Sequence, residues 1–209
     1  MKTLLLASNG ATLTESGIKI NGKPLNKFKL AYITTAGNDV PNRGYLERQR
    51  VRMTELGFDF TELDIKEKNE NELRDFLQDK EAVLVEGGNT FYLLRAVCES
   101  GFDRVINDLL SAGLVYMGIS AGAYVACPTI EMATWKNPTK FNRHGVTDFT
   151  AMNLVPFLVT AHYTPEYREL LQEKISHCQY PVKILADGQA LLVQDSRVKF
   201  VGEDKEIIF

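Results

Sequence analysis

The pentapeptide Gly118-Ile119-Ser120-Ala121-Gly122 sets a serine among small residues at the end of the apolar run 115–119. Behind it Ala121, Ala123, Val125 and Ala126 begin a helical pattern. A serine at a sharp strand-to-helix turn is the arrangement of a nucleophile elbow. Small neighbours are needed because the turn is tight and the backbone passes close to adjoining strands. The turn lifts the hydroxyl above the carboxyl edge of a sheet, beside helix amides that favour developing negative charge. The chemistry implied is acyl transfer through a covalent serine intermediate.

A second glycine-rich turn, Glu86-Gly87-Gly88-Asn89-Thr90, follows the apolar run 82–85 and precedes an apolar helix. Its two glycines permit a sharp turn with exposed amides, and Asn89 or Thr90 suits a helix N-cap. Neither G-x-G-x-x-G nor G-x-x-x-x-G-K-[ST] occurs, which disfavours phosphate binding. Beside Ser120, the turn is expected to form half of an oxyanion hole, with the amides of Gly88 and Ala121 converging on the acyl oxygen, the alternative being an ordinary glycine-rich βα turn. The serine also requires a base, and the chain holds three histidines. His144 lies in the polar stretch Asn142-Arg143-His144-Gly145, and His177 lies near a helix C-terminus, where it complements the dipole. His162 follows the run 158–161 and opens His162-Tyr163-Thr164-Pro165. Parallel α/β sheets bind ligands just past the carboxyl ends of their strands, so His162 falls on the same edge as Ser120.

The elements that must hold these residues are legible as an alternation. Short Val/Ile/Leu-rich runs at 3–7, 30–35, 82–85, 115–119, 158–161 and 182–185 have the density of strands buried on both faces. Amphipathic stretches at 42–56, 70–78, 90–99, 102–112 and 165–176 separate most of them. That order predicts βαβ units around a mainly parallel sheet. Asn21-Gly22 within 15–27 marks a hairpin turn. At the other end, 190–193 and 198–201 alternate around Asp195-Ser196, and Gly202-Glu203-Asp204 leads to Ile207-Ile208-Phe209. This tail is expected to extend the sheet as an antiparallel meander. No linker or repeat interrupts the chain, so residues 1–209 are expected to form one α/β domain.

Composition narrows the function classes. The 209 residues are 44% hydrophobic and 24% charged, with a net charge of −3 and a sequence pI of about 5.7. No basic footprint points to nucleic acid or to an anionic membrane, and neither is expected as a partner. Cys98, Cys127 and Cys178 are widely spaced and form no C-x-x-C, which suits reduced thiols in the cytoplasm. Residues 1–7 carry one charge and too short an apolar run for a signal peptide, and nothing approaches the ~20 apolar residues of a membrane span. No metal site or organic cofactor is called for by these patterns.

The chain resembles peptidase E, the aspartyl dipeptidase, within the wider group that includes cyanophycinases. The resemblance is carried by the run from Val85 to Leu94 and by Gly118–Ala123 with Ala126-Cys127-Pro128-Thr129-Ile130. Pro156-Phe157, His162-Tyr163-Thr164 and the terminal run from Ile184 to Ala190 complete it. It implies a flavodoxin-like three-layer sandwich related to class I glutamine amidotransferases, with a serine nucleophile at Ser120, base His162 and oxyanion donors Gly88 and Ala121. It further implies cleavage of dipeptides with an N-terminal aspartate, with Asn89 and Arg168 on the substrate. The family's acidic third member falls here on Trp135, whose indole cannot accept the imidazole N–H. Glu131 or Asp148 is then expected to orient His162, unless the site runs as a dyad.

The expectation is therefore a cytoplasmic serine hydrolase of short peptides, as a monomer or homodimer, with the polar stretch 135–147 forming a loop over the site. Three alternatives stand beside it: a degenerate relative that binds peptides or small molecules, an amidotransferase-like amidase, and a nucleotide-binding flavodoxin-like protein. Ser120 where the amidotransferase group carries cysteine counts against the amidase.

Overall fold

Every apolar run of the first 120 residues becomes a strand. The computed structural model describes residues 1–15, 17–136, 142, 144–202 and 205–209, with 14 and 15 as backbone only. The strands are β1 (Thr3–Ala7), β2 (Lys19–Ile20), β3 (Lys23–Pro24), β4 (Lys29–Ile33), β5 (Asp59–Leu63) and β6 (Ala82–Val85). They continue as β7 (Val115–Ile119), β8 (Leu158–Thr160), β9 (Val182–Ile184), β10 (Gln189–Gln194) and β11 (Arg197–Gly202). The helices are α1 (Gly10–Glu15), α2 (Gly44–Glu55), α3 (Glu70–Leu77), α4 (Thr90–Ser100), α5 (Phe102–Ser111), α6 (Ala121–Val125) and α7 (Arg168–Ser176).

Seven strands form one sheet in the order β11-β10-β1-β7-β6-β4-β5. The five from β1 to β5 in that order run parallel. β10 pairs antiparallel with β1, and β11 antiparallel with β10. Because successive strand residues point to opposite faces, the strands feed two cores. Leu4, Leu6, Ala31, Ile33, Val83, Val85 and Tyr116 join one core with apolar residues of α3, α4, α5 and α6. Leu5, Ala7, Leu30, Tyr32, Leu84, Met117 and Ile119 join the other with Leu13 and Met53 of the first two helices. Leu4, Leu5 and Leu6 are fully buried, each contributing about 1.5–3 kcal/mol of transfer free energy. The result is a mixed α/β fold with helices on both faces of a mostly parallel sheet.

Local signals end the helices where the sequence places them. Asn69 caps α3 in a capping box with Glu72, and Asn89 caps α4 by accepting from the amides of Phe91 and Tyr92. Asn21 and Gly22 both adopt positive φ in the β2–β3 turn, the combination a tight hairpin requires.

Three features differ from the sequence expectation. β8 and β9 do not enter the main sheet but form a parallel pair of their own. Ile207 bridges Ile184 of that pair rather than extending the meander. β5, which alternates Phe60 and Leu63 with charged residues, is an exposed edge strand whose pattern was too polar to mark it. Among the described residues no helix is long and apolar enough to cross a membrane.

Two glycines and one acid fix the strand ends beneath the site. A Cβ at Gly122 would lie 2.1 Å from Val85 O, and one at Gly118 2.5 Å from Gly122 O. Backbone sits on backbone there, so nothing can rotate away. Glu86, at the end of β6, is buried and accepts from Tyr32 OH at 2.5 Å and from Gly87 N at 2.8 Å. Burial raises its pKa above the ordinary carboxyl value, and the two hydrogen bonds offset only part of that rise.

Gly122→Ala is expected to destabilise the fold by about 3 kcal/mol, the upper range for overpacking, measured as a lowered denaturation midpoint. An unchanged midpoint would contradict the close approach. For Glu86 the native state holds its proton to higher pH than the unfolded chain does. Its contribution is therefore full below the ordinary glutamate range of about 4.3 and is lost as pH rises through the raised native value. Thermal melts of Glu86→Gln should lack that part of the decline, and parallel pH profiles for the two proteins would refute the assignment.

Candidate active site

Ser120 stands between β7 and α6 with φ 48° and ψ −105°, a left-handed conformation that a non-glycine residue holds only under constraint. Its amide donates to Ala7 O at 3.0 Å and its carbonyl accepts from Tyr124 N at 2.9 Å, so both sides of the turn are fixed. Ala121 N–H belongs to the first turn of α6, where amides lack an intrahelical acceptor. Gly87 packs against the serine: a Cβ there would be 3.2 Å from Ser120 Cβ. Gly88 follows at φ 144°, with Ala36 O 2.3 Å from where a Cβ would sit. Only glycine fits that position, and the exposed Gly88 lines the same cavity as Ser120.

His162 follows β8, also at positive φ, 56°. Its Nε2 lies 2.9 Å from Ser120 Oγ, and its Nδ1 lies 2.7 Å from Asp187 Oδ1. Asp187 sits in the turn from β9 to β10. The hydrogen bond from His162, with a smaller one from Ser8, holds its carboxyl below the ordinary range. The ionised carboxylate only accepts, so Nδ1 carries the imidazole proton and Nε2 accepts from the serine hydroxyl. Ser8 Oγ donates to Asp187 Oδ1 at 2.7 Å and accepts from His162 N at 2.8 Å. Lys136 Nζ donates to Ala161 O at 2.6 Å and to His162 O at 3.0 Å, while sitting 4.7 Å over the Tyr167 ring. Burial pulls this lysine down to about 8.

These groups open onto a cavity of 840 Å³, lined near the serine by Gly87, Gly88, Ser120, His162 and Lys136. That volume lies within the range of small-molecule sites. Tyr45 of α2 closes one side by donating to Gly87 O at 2.8 Å.

Ser120, His162 and Gly88 thus line one cavity and Ala121 opens the helix behind the serine, though β8 brings in the histidine from outside the main sheet. Four other placements differ. The carboxylate on His162 is Asp187, not Glu131 or Asp148. Glu131 faces Cys178, with Oε1 3.7 Å from its sulfur, and Asp148 accepts from Thr150 N at 2.8 Å. Trp135 is a core residue, 8% exposed, which leaves it no part in the relay. Asn89 is fully buried and spends its side chain on the α4 cap and Asp39, rather than on substrate. Arg168 stacks 5.0 Å from the Phe209 ring and is not among the described lining residues.

Asp187 and Ser8 escaped the sequence reasoning, yet both follow apolar runs, the signal that singled out His162. His144 stands apart from the relay, with Nε2 3.0 Å from Asp39 Oδ2. Of the stretch 135–147, residues 137–141 and 143 lie outside the described residues. Among the described residues, no group of three or more His, Cys, Asp or Glu is arranged to hold a metal ion.

The model of peptidase family S51 matches residues 4–201, a span that includes Ser8, Ser120, His162 and Asp187. An uncharacterized peptidase of Pasteurella multocida is 31% identical over 208 residues, covering 98% of this chain and 100% of that protein. Peptidase E of Nostoc sp. is 29% identical over 224 residues, covering all of this chain and 89% of the relative. A crystal structure of a candidate peptidase E protein from Listeria monocytogenes EGD-e superposes with a TM-score of 0.82 at 26% identity. It covers 98% of this chain and 100% of that one. With one family model spanning nearly the whole sequence and full-length relatives on either side of 30% identity, this chain belongs to peptidase family S51.

Proposed function

We propose that this protein is a serine-type peptidase that hydrolyses short peptides through an acyl-enzyme on Ser120. The observation that carries the proposal is the relay from Ser120 Oγ to His162 Nε2 and from Nδ1 to Asp187. His162 takes the hydroxyl proton as Ser120 attacks the scissile carbonyl, then gives it to the leaving amine. Asp187 holds the imidazole in the required tautomer and stabilises the imidazolium that forms. The amides of Gly88 and Ala121 are assigned to the tetrahedral oxyanion, where one donor is worth about 10²–10³ in kcat. Water then attacks the ester by the same route, with His162 again the base.

The size of the cavity suits small substrates, and aspartate-terminated dipeptides are the first candidates because relatives carry the name peptidase E. A degenerate binding protein was attractive only while Trp135 left the histidine without a carboxylate, and Asp187 removes that reason. The strand order β5-β4-β6-β7, with β1 beyond β7, supports a flavodoxin-like, class I amidotransferase-like sandwich. Unpaired Cys98, Cys127 and Cys178 fit a reducing cytoplasm.

A dipeptide panel should show turnover that Ser120→Ala abolishes. Asp187→Asn should lower kcat by about 10⁴ if the relay works as in other proteases built around a carboxylate. Glu131→Gln and Asp148→Asn should leave it within threefold. Full turnover by Ser120→Ala would overturn the mechanism, and an Asp187→Asn rate near wild type would remove Asp187 from it.

A further inference from the structure

The described hydrogen bonds of Lys136 reach the relay through the backbone of His162 and not through its ring. Other lysines of the chain pair with surface carboxylates, as Lys68 does with Glu72 at 3.0 Å and Lys183 with Glu206 at 2.7 Å. Lys136 lines the cavity instead, and its ammonium donates to Ala161 O at 2.6 Å and to His162 O at 3.0 Å. These two carbonyls belong to the peptides on either side of the His162 Cα. In extended backbone successive carbonyls point to opposite sides, so one ammonium could not reach both. At the positive φ of His162 it does. The lysine therefore binds the strained conformer in preference to a relaxed one, and only such a difference can shift a conformational equilibrium.

The other contacts of this backbone are neutral. Tyr124 OH accepts from Ala161 N at 3.0 Å, Ser8 Oγ accepts from His162 N at 2.8 Å, and Leu185 O accepts from Tyr163 N at 3.0 Å. Lys136 is thus its one charged partner among the described residues. Charge-assisted hydrogen bonds are roughly twice as strong as neutral ones. The Tyr167 ring, 4.7 Å from Nζ, also favours the ammonium over the free amine. We propose that Lys136 is a positioning residue whose ammonium holds His162 in the backbone conformation that aims its imidazole at Ser120, so that turnover requires this lysine charged. The proposal rests on the peptidase function given above and adds an alkaline limit set outside the relay itself.

Burial pulls Lys136 down to about 8, and the carboxylate of Asp187 opposes this only in part. Its ammonium is then lost in a range where an exposed lysine keeps it. His162 and Tyr167 touch the lysine directly, and Asp187 is held below the ordinary carboxyl range. Of the groups that share its cavity, burial raises Tyr45 and Tyr124, while Arg48 and Arg52 stay charged throughout. Glu86, also in the lining, holds its proton to higher pH than an ordinary glutamate, so Glu86→Gln serves as the control.

The rate at which a fluorophosphonate probe labels Ser120, followed from about pH 6 to about pH 10 beside dipeptide hydrolysis, reads the state of the relay. Both rates should fall above about pH 8 in the wild-type chain. Lys136→Met should lower both about 10–100-fold at neutral pH and flatten the alkaline fall. Lys136→Arg, charged across the range, should recover part of the neutral rate and hold it to higher pH. Melting curves separate loss of fold from loss of rate, and if Lys136→Met does not fold, the wild-type profile and Lys136→Arg decide alone. Wild-type rates that hold or rise above about pH 8, no labelling at any pH, or Lys136→Met labelled as fast as wild type would overturn the proposal. An alkaline fall that Lys136→Arg leaves in place would also overturn it, and its loss in Glu86→Gln would assign it to that acid. Labelling with the expected profile but no cleavage of any peptide would defeat the peptidase function and leave the role of Lys136 standing.

Discussion

The side chain of Ser8 ties together three segments that are far apart in the sequence. Its hydroxyl donates to Asp187 and accepts from the amide of His162, joining the end of β1, the end of β8 and the turn before β10. His162 depends on this junction because its backbone is strained. A left-handed non-glycine residue costs on the order of 1–3 kcal/mol and persists only where its surroundings over-determine it. Here the amide is held by Ser8, the carbonyl by Lys136, and the two ring nitrogens by Asp187 and Ser120. Four independent fixings on one residue leave the imbalance to be absorbed by packing elsewhere.

The serine is constrained from the other direction, by what cannot be there. Gly118, Gly122 and Gly87 crowd the turn so tightly that added methyl groups would meet backbone or the serine itself. The close approach of β6 and β7 at their carboxyl ends thus sets both the direction of Ser120 and its distance from the Gly87-Gly88 turn. Glu86 secures that turn from below through Tyr32 and the Gly87 amide. The acid is buried because it serves as a structural anchor, at the cost of holding its proton more tightly than an exposed glutamate would.

What could be read in the sequence was whatever depended on local pattern. Continuous apolar runs gave β1, β4, β6 and β7, Asn21-Gly22 gave the hairpin, and the glycines around Ser120 gave the elbow. The histidine was found by its place after an apolar run, although the run belongs to a separate strand pair. The rule holds there because the Ala161 amide donates to Tyr124 OH on the elbow helix, which draws β8 to the same edge. Asp187 was missed for a related reason. Resemblance pointed to the region just after residue 130, whereas the carboxylate arrives from a turn whose position depends on β10 pairing with β1. The cap that Asn89 makes and the stacking of Arg168 on Phe209 were not legible because neither arrangement leaves a mark in the local sequence.

The pairing of β10 with β1 joins Thr3 to Gln194 and Ala7 to Ala190. Strand β1 therefore takes both its neighbours, β7 and β10, from much later in the sequence, and β10 is the later of the two. During synthesis on a ribosome the serine and the imidazole would emerge well before the turn that carries Asp187. The nascent chain would then hold a nucleophile whose base is still unoriented. The completed contact between His162 and Asp187 therefore marks that β10 has paired with β1.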